Sequence, residues 1–220
     1  IFVIVPCYNE AECIVPVITE LKSHVPDAHV VLVDDASTDL TVSVIRNIVD
    51  DRTALLALAT NLGIGGAVQA GFIYAVQHGA EYALKFDGDG QHPADKIAEL
   101  LKPLKDGEAD LVIGSRFMEE NEGFKSTFLR RIGIRFFCIL NSLLLRQIVV
   151  DNTSGFRAYN RKALEFAAKY YPSFDYPEPE EVILFGRNGF RIKEIPTPMR
   201  SRAGGQSSIN LKRSAYFMVK

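Results

Sequence analysis

Five short apolar runs, residues 1–5, 30–33, 54–58, 83–86 and 111–113, each break off at a cluster of polar residues, and stretches of helical character separate them. This pattern limits what the chain can become more than any other feature. A continuous aliphatic run such as IFVIV suits a strand buried on both faces, the condition of a parallel sheet covered by helices. The intervening segments supply such helices: they are predicted over about 12–22, 41–49, from the 61–66 loop to 77, and 93–104, the last with Pro93 at its first position. Strands alternating with helices at this spacing give βαβ units. The expected fold class is therefore α/β, a mostly parallel central sheet with helices on both faces. No repeat or low-complexity linker interrupts the pattern, and a chain of 220 residues, 47% of them hydrophobic, can bury one large core. Residues 1–220 are read as one domain.

In such sheets ligands collect at the carboxyl ends of the strands. The polar clusters sit there: Tyr8-Asn9-Glu10, Asp34-Asp35, the 61–66 loop NLGIGG, Asp87-Gly88-Asp89 and Ser115-Arg116. The fourth is the most specific. Asp87 and Asp89 are two residues apart, so in an extended segment both point to one side and can share a hard cation through oxygen ligands. Oxygen ligands suit Mg²⁺ or Mn²⁺. Gly88 and Gly90 let the backbone approach what the cation carries. The competing readings are a solvated turn and a calcium loop. The second fails, because the twelfth position is Ala98 and not Glu.

Several function classes drop out. The glycine pattern from Gly63 has Val68 where a dinucleotide fingerprint needs its last glycine, and no G-K-[ST] phosphate loop exists. A net charge of -2 gives no sign of nucleic-acid binding, although residues 123–150 and 199–220 carry bases and no acids, as a face toward phosphate or an anionic membrane would. A solvated basic surface explains either stretch as well. Three cysteines without metal-ligand spacing fit a reducing compartment. Both ends read as cut points, with room for a membrane segment after Lys220.

Taken in order, the strings IVPCYNE, VLVDDASTD, NLGIGGAVQAG, FDGDGQHP, VIGSR and DNTSGFRAY resemble those of family 2 glycosyltransferases with the GT-A fold. Within that family they are most similar to the polyprenyl-phosphate sugar transferases, the branch of dolichol-phosphate mannose synthase. The resemblance covers nearly the whole chain, with a nucleotide-binding half over about 1–115 and an acceptor half over about 116–220. It implies a metal-dependent, inverting transfer of one sugar from a nucleotide-diphosphate sugar to a polyprenyl phosphate, at the cytoplasmic face of a membrane. A saccharide or other hydroxyl acceptor is the alternative. The Gln-x-x-Arg-Trp string of chain-extending synthases is absent, and the chain has no Trp.

The same resemblance implies roles. Asp87 and Asp89 would hold the cation, with Gln91 reaching it as a further ligand. Asp35 would accept a hydrogen bond from the base, with Pro6, Tyr8 and Glu10 lining the nucleotide pocket. The alternative for Asp34-Asp35, capping the helix at Thr41, falls more naturally to Asp39 or Thr38. Gly63, Gly65 and Gly88 would bring backbone near the donor, or Gly63 and Gly65 simply make a tight turn. Arg116 and Arg157 would bind phosphate oxygens, the alternative being ion pairs.

On the acceptor side a phosphate monoester is already anionic near neutral pH and requires no strong base, whereas a hydroxyl requires a carboxylate. Asp151 is the candidate, as base or orienting group, followed by Glu178, Glu180 and Glu181, which read equally as the acidic first turn of a helix. Residues 128–145 fit a helix at the membrane interface, or one facing the core. Residues 200–210 fit a phosphate-binding lid, or a loose terminus. The base and sugar of the donor and the oligomeric state are not legible.

Overall fold

The computed structural model describes residues 1–118 and 149–200. The element order is β1 (Phe2–Cys7), α1 (Ile14–His24), β2 (His29–Asp34), α2 (Thr41–Arg46), β3 (Thr53–Ala57), α3 (Gly63–Gln77), β4 (Tyr82–Lys85), α4 (Ile97–Lys105), β5 (Leu111–Ser115), β6 (Arg157–Asn160), α5 (Arg161–Tyr170), α6 (Glu178–Arg187) and β7 (Ile192–Pro196). All seven strands join one sheet in the order β3-β2-β1-β4-β6-β5-β7.

Every neighbouring pair is parallel except those made by β6, which runs antiparallel to both β4 and β5. Six strands therefore end at one edge of the sheet, and β6 begins there. That reversal brings the segment before β6, Asp151 to Phe156, to the edge where the other strands deliver their polar ends.

Alternate residues of the central strands feed two cores. Val3, Val5, Val30, Leu32 and Leu84 pack against Ile14, Leu21, Ile97 and Leu104 from α1 and α4. Phe2, Ile4, Val31 and Val33 pack on the other side against Val68, Phe72, Leu164 and Phe185 from α3, α5 and α6. With both faces covered, a central strand such as β1 or β2 has no solvent side, which explains the unbroken apolar runs.

The five expected strands are present with ends moved by one or two residues. The strands β6 and β7 were not foreseen: RAYN and IKEIP are too short and polar for period alone to reveal. The helix expected from Pro93 starts later. Pro93 is extended (φ -79°, ψ 115°), a 3-10 turn covers Ala94–Lys96, and α4 begins at Ile97. The helix at Thr41 is shorter than expected and stops at Arg46. Among the described residues no helix is long and apolar enough to cross a membrane. The stretch 128–145 and all of the proposed lid except Arg200 lie outside the described residues.

Candidate active site

The ends of β1 and β2 are tied together by side chains of the loops that follow. Asn9 donates its backbone N–H to Ser37 Oγ (2.9 Å), and its Oδ1 accepts the Thr38 N–H (2.9 Å). Asp39 Oδ1 takes the Thr41 N–H (2.9 Å), so the α2 start is served by Asp39, and Thr41 Oγ1 in turn accepts the Glu10 N–H (2.9 Å). The Glu10 carbonyl receives the N–H groups of Cys13 and Ile14 at the start of α1. Pro6 and Glu10 are half-buried beside this seam, and Tyr8 is 48% exposed above it. Asp35, buried, accepts the Leu62 N–H at 2.6 Å, and its carbonyl accepts Asn61 Nδ2 at 2.9 Å. Burial pushes its carboxyl above the usual value, opposed by the backbone N–H groups of Leu62 and Gly63.

The acidic pair lies in the turn after β4, not on the strand itself. Asp89 is buried, and its Oδ1 accepts the Gln91 N–H at 3.0 Å. Asp87 Oδ2 lies 2.8 Å from His92 Nε2, while Asp87 Oδ1 is buried with no hydrogen-bond partner. Burial works to raise the Asp87 pKa. The electrostatic attraction and hydrogen bond of His92, followed by Lys85 and Arg116, outweigh it and hold the carboxyl well below the usual range. The group is thus ionised at neutral pH, the form in which a carboxylate ligates a cation. An orphaned, ionised oxygen in a buried place fits an absent cation. Among the described residues no group of three His, Cys, Asp or Glu side chains converges. A cation held by Asp87 and Asp89 would take its other ligands from Gln91, water or a bound donor.

Arg116 and Asp151 complete this edge. The guanidinium makes two bonds of 2.7 Å to the carboxylate and one of 2.5 Å to Thr153 Oγ1. Arg200 also reaches the acidic turn: its N–H meets the Gln91 carbonyl at 3.0 Å, and its guanidinium binds Glu20 at 2.6 Å and Asp95 at 3.2 Å.

Residues 2–166 match the family model described as glycosyl transferase family 2. The chain belongs to glycosyl transferase family 2. It is a glycosyltransferase with the GT-A fold. The UDP-N-acetylglucosamine–dolichyl-phosphate N-acetylglucosaminyltransferase of Methanococcus voltae is 28% identical over 211 residues, covering 89% of this chain and 84% of the relative. The undecaprenyl-phosphate mannosyltransferase of Micrococcus luteus is 29% identical over 215 residues, 96% of this chain and 87% of the relative. Among solved structures, the glucosyl-3-phosphoglycerate synthase of Mycobacterium tuberculosis, in complex with Mn²⁺, UDP and phosphoglyceric acid, gives a TM-score of 0.71. It is 19% identical, and the match spans 99% of this chain and 74% of that one.

Other family-implied residues are used differently from the expectation. Arg157, expected on phosphate oxygens, is fully buried, with Nη1 on Glu181 Oε2, Nε on the Ser154 carbonyl and Nη2 on the Asn152 carbonyl, each at 2.8 Å. Glu181 also accepts from Tyr159 Oη at 2.8 Å. Glu178 pairs with the buried Lys85 on β4. Glu178 and Glu181, two of the three acids in the first turn of α6, therefore neutralise buried cations and are held in ion pairs. Asp151 has both oxygens committed to Arg116, which fits orientation and not proton abstraction.

Gly63 and Gly65 are required by the protein's own packing. Gly63 has φ +75°, and a Cβ on Gly65 would lie 1.8 Å from the Ser173 carbonyl oxygen. They admit the 173–174 backbone, whose Phe174 carbonyl accepts the Gly65 N–H at 2.8 Å. Gly88 is buried, and a Cβ there would make ordinary contact with the Pro6 carbonyl at 3.4 Å. Two participants escaped the sequence reading. His92 is known only by its contact with Asp87. Gly155 gives room for the same carboxylate, since its Cβ would lie 2.8 Å from Asp87 Oδ2. A signal for His92 existed, because it follows the acidic pair within the same short loop.

Proposed function

We propose that this glycosyltransferase moves one sugar from a nucleotide-diphosphate sugar to a polyprenyl phosphate, with inversion, at the cytoplasmic face of a membrane. The observation that carries the acceptor class is the commitment of the nearby acids. Asp151 is locked to Arg116, Glu181 to Arg157 and Glu178 to Lys85. A hydroxyl acceptor would need a free carboxylate as base, and three of the four candidate acids are committed in this way, whereas a phosphate monoester attacks in its anionic form. The names of the Methanococcus voltae and Micrococcus luteus relatives, both lipid-phosphate transferases, support the same class.

On this reading Asp87 and Asp89, with Gln91, hold Mg²⁺ or Mn²⁺. The cation, when bound, offsets the charge that develops on the departing nucleoside diphosphate. The chain's own residues do the rest. Asp35 lies at the end of β2, where its carboxylate can receive a ring N–H of the base beside Tyr8, Pro6 and Glu10. Arg116, rigid in its grip on Asp151, adds positive charge beside Asp87, where the diphosphate would lie. The turn after β4 fixes the diphosphate end, so the donor spans the carboxyl ends of β1, β2 and β4.

The deciding assay offers polyprenyl phosphate in detergent together with soluble saccharides, Mn²⁺ and labelled UDP-sugars and GDP-sugars. Label should enter the lipid fraction, and a chelator should stop it. Transfer to soluble sugars alone would move the acceptor assignment to a hydroxyl, and full activity with chelator would remove the cation.

A further inference from the structure

The geometry points to His92 as a positioning residue for the cation site: its Nε2–H binds Asp87 Oδ2 and leaves Oδ1 as the oxygen turned to the metal. This inference rests on the cation reading given above. His92 is 1% exposed and cannot swing away. Its ring stacks on Phe156 (centroids 5.0 Å, interplanar 15°) and meets Phe86 edge-on at 5.6 Å, while those two phenyl rings meet each other edge-on at 5.7 Å. Phe86 comes from the β4 end and Phe156 from the residue before β6, so the imidazole is clamped between the two strands that bracket the site.

The clamp has a chemical consequence. Nδ1 is buried without a partner, so hydrogen-bond accounting puts the ring proton on Nε2, toward Asp87. Gly155 lies beside the carboxylate, where a Cβ would meet Oδ2 at 2.8 Å and Oδ1 at 3.3 Å; Oδ2 carries the His92 bond, and Oδ1 is the one left orphaned. Asp87 is thereby fixed as a one-oxygen ligand in a single orientation. A carboxylate free to turn would lose orientational entropy on metal binding, and removing such outer partners typically lowers metal affinity about 10–100-fold.

The test uses the full chain. Mn²⁺ binding is titrated by the paramagnetic resonance of the free ion, with UDP present and, in parallel, GDP, for wild type, His92→Phe, His92→Gln and Asp89→Asn. His92→Phe keeps an aromatic ring between Phe86 and Phe156 and lacks the donor; His92→Gln restores an N–H near the Nε2 position. The expected result is wild-type binding, about 10–100-fold weaker binding in His92→Phe, and recovery to within a few-fold in His92→Gln. Equal affinity in wild type and His92→Phe, or no recovery in His92→Gln, overturns the role of His92 while leaving the cation site standing. No Mn²⁺ binding by wild type with either nucleotide removes the cation reading and this inference together. If thermal melts show His92→Phe unfolded, the ¹⁵N–¹H spectrum of the wild-type imidazoles decides. A slowly exchanging proton on His92 Nε2 supports the role, and a proton on Nδ1 with Nε2 bare overturns it.

Discussion

Arg116 grips Asp151 as a fork, with Nε 2.7 Å from Oδ2 and Nη2 2.7 Å from Oδ1, and the Arg116 backbone N–H adds a third bond of 3.0 Å to Oδ2. Behind it, Glu194 on β7 accepts the N–H groups of Val150 and Asp151, each at 2.7 Å. The loop before β6 is thus bound to the end of β5 and to β7 by charged hydrogen bonds in a buried setting, where geometry is held tightly.

The fork should be visible in the acid limb of stability. Burial pushes the Asp151 pKa up, but the bonds and charge of Arg116 outweigh it and hold it below the ordinary value. A depressed folded pKa means stabilisation that is complete above the unfolded value of about 4 and lost as pH falls through the folded value. Urea unfolding of wild type and Asp151→Asn from pH 7 to pH 3 should show a stability gap that is constant above about pH 5 and narrows below about 4. A gap independent of pH would contradict the assignment.

Arg157 and Glu181 are expected to matter for stability more than for donor binding. Arg157→Met strands a buried carboxylate and should cost about 3–5 kcal/mol in urea unfolding. The double variant Arg157→Met with Glu181→Leu should recover most of the loss, because no unpaired charge remains. A double variant as unstable as the single one would count against the pair.

Gly155→Ala tests the space around Asp87. The added Cβ, 2.8 Å from Oδ2, forces the carboxylate off its His92 bond. Mn²⁺ affinity should fall about 10-fold or more, with a melting temperature close to wild type, since only the tip of one side chain must move. Unchanged Mn²⁺ affinity would show that the site tolerates the shift.

Gly65→Ala should behave in the opposite way. Its Cβ would meet backbone, the Ser173 carbonyl oxygen at 1.8 Å, so α3 and the 173–174 segment must separate. A loss of about 1–3 kcal/mol is expected, roughly 2–12 °C in a thermal melt. A melting temperature equal to wild type would show that the segment can yield.

Asp89→Asn keeps the shape of the turn and removes a ligand charge. Turnover should drop about 100-fold or more, with an unchanged urea midpoint. Wild-type turnover in this variant would remove Asp89 from the cation site.

Much of this arrangement was legible in one dimension. The runs at 1–5, 30–33 and 83–86 announced strands buried on both faces, because alternate side chains of β1 and β2 enter two different cores. Distance to Thr41 narrowed the residue serving the α2 start to Asp39 or Thr38, and the structure shows Asp39. Arg157 was not legible. An arginine in a motif string says nothing of which way its side chain turns, and Glu181, its partner, is 24 residues away. The packing role of Gly63 and Gly65 was not legible for the same reason: the backbone they admit, at 173–174, is more than a hundred residues distant.

The order of apolar runs and polar breaks determined the α/β class and the edge where the chemistry gathers, since burial and strand period act over a few residues at a time, and the motif strings at the strand ends carried the resemblance to family 2 glycosyltransferases. Only the tertiary structure decided which charged groups face the cleft and which neutralise one another beneath it. The antiparallel insertion of β6 between β4 and β5 made that decision. It carried Gly155 against Asp87, Phe156 against His92 and Arg157 down to Glu181, and a buried charge must take whichever partner the packing brings within reach.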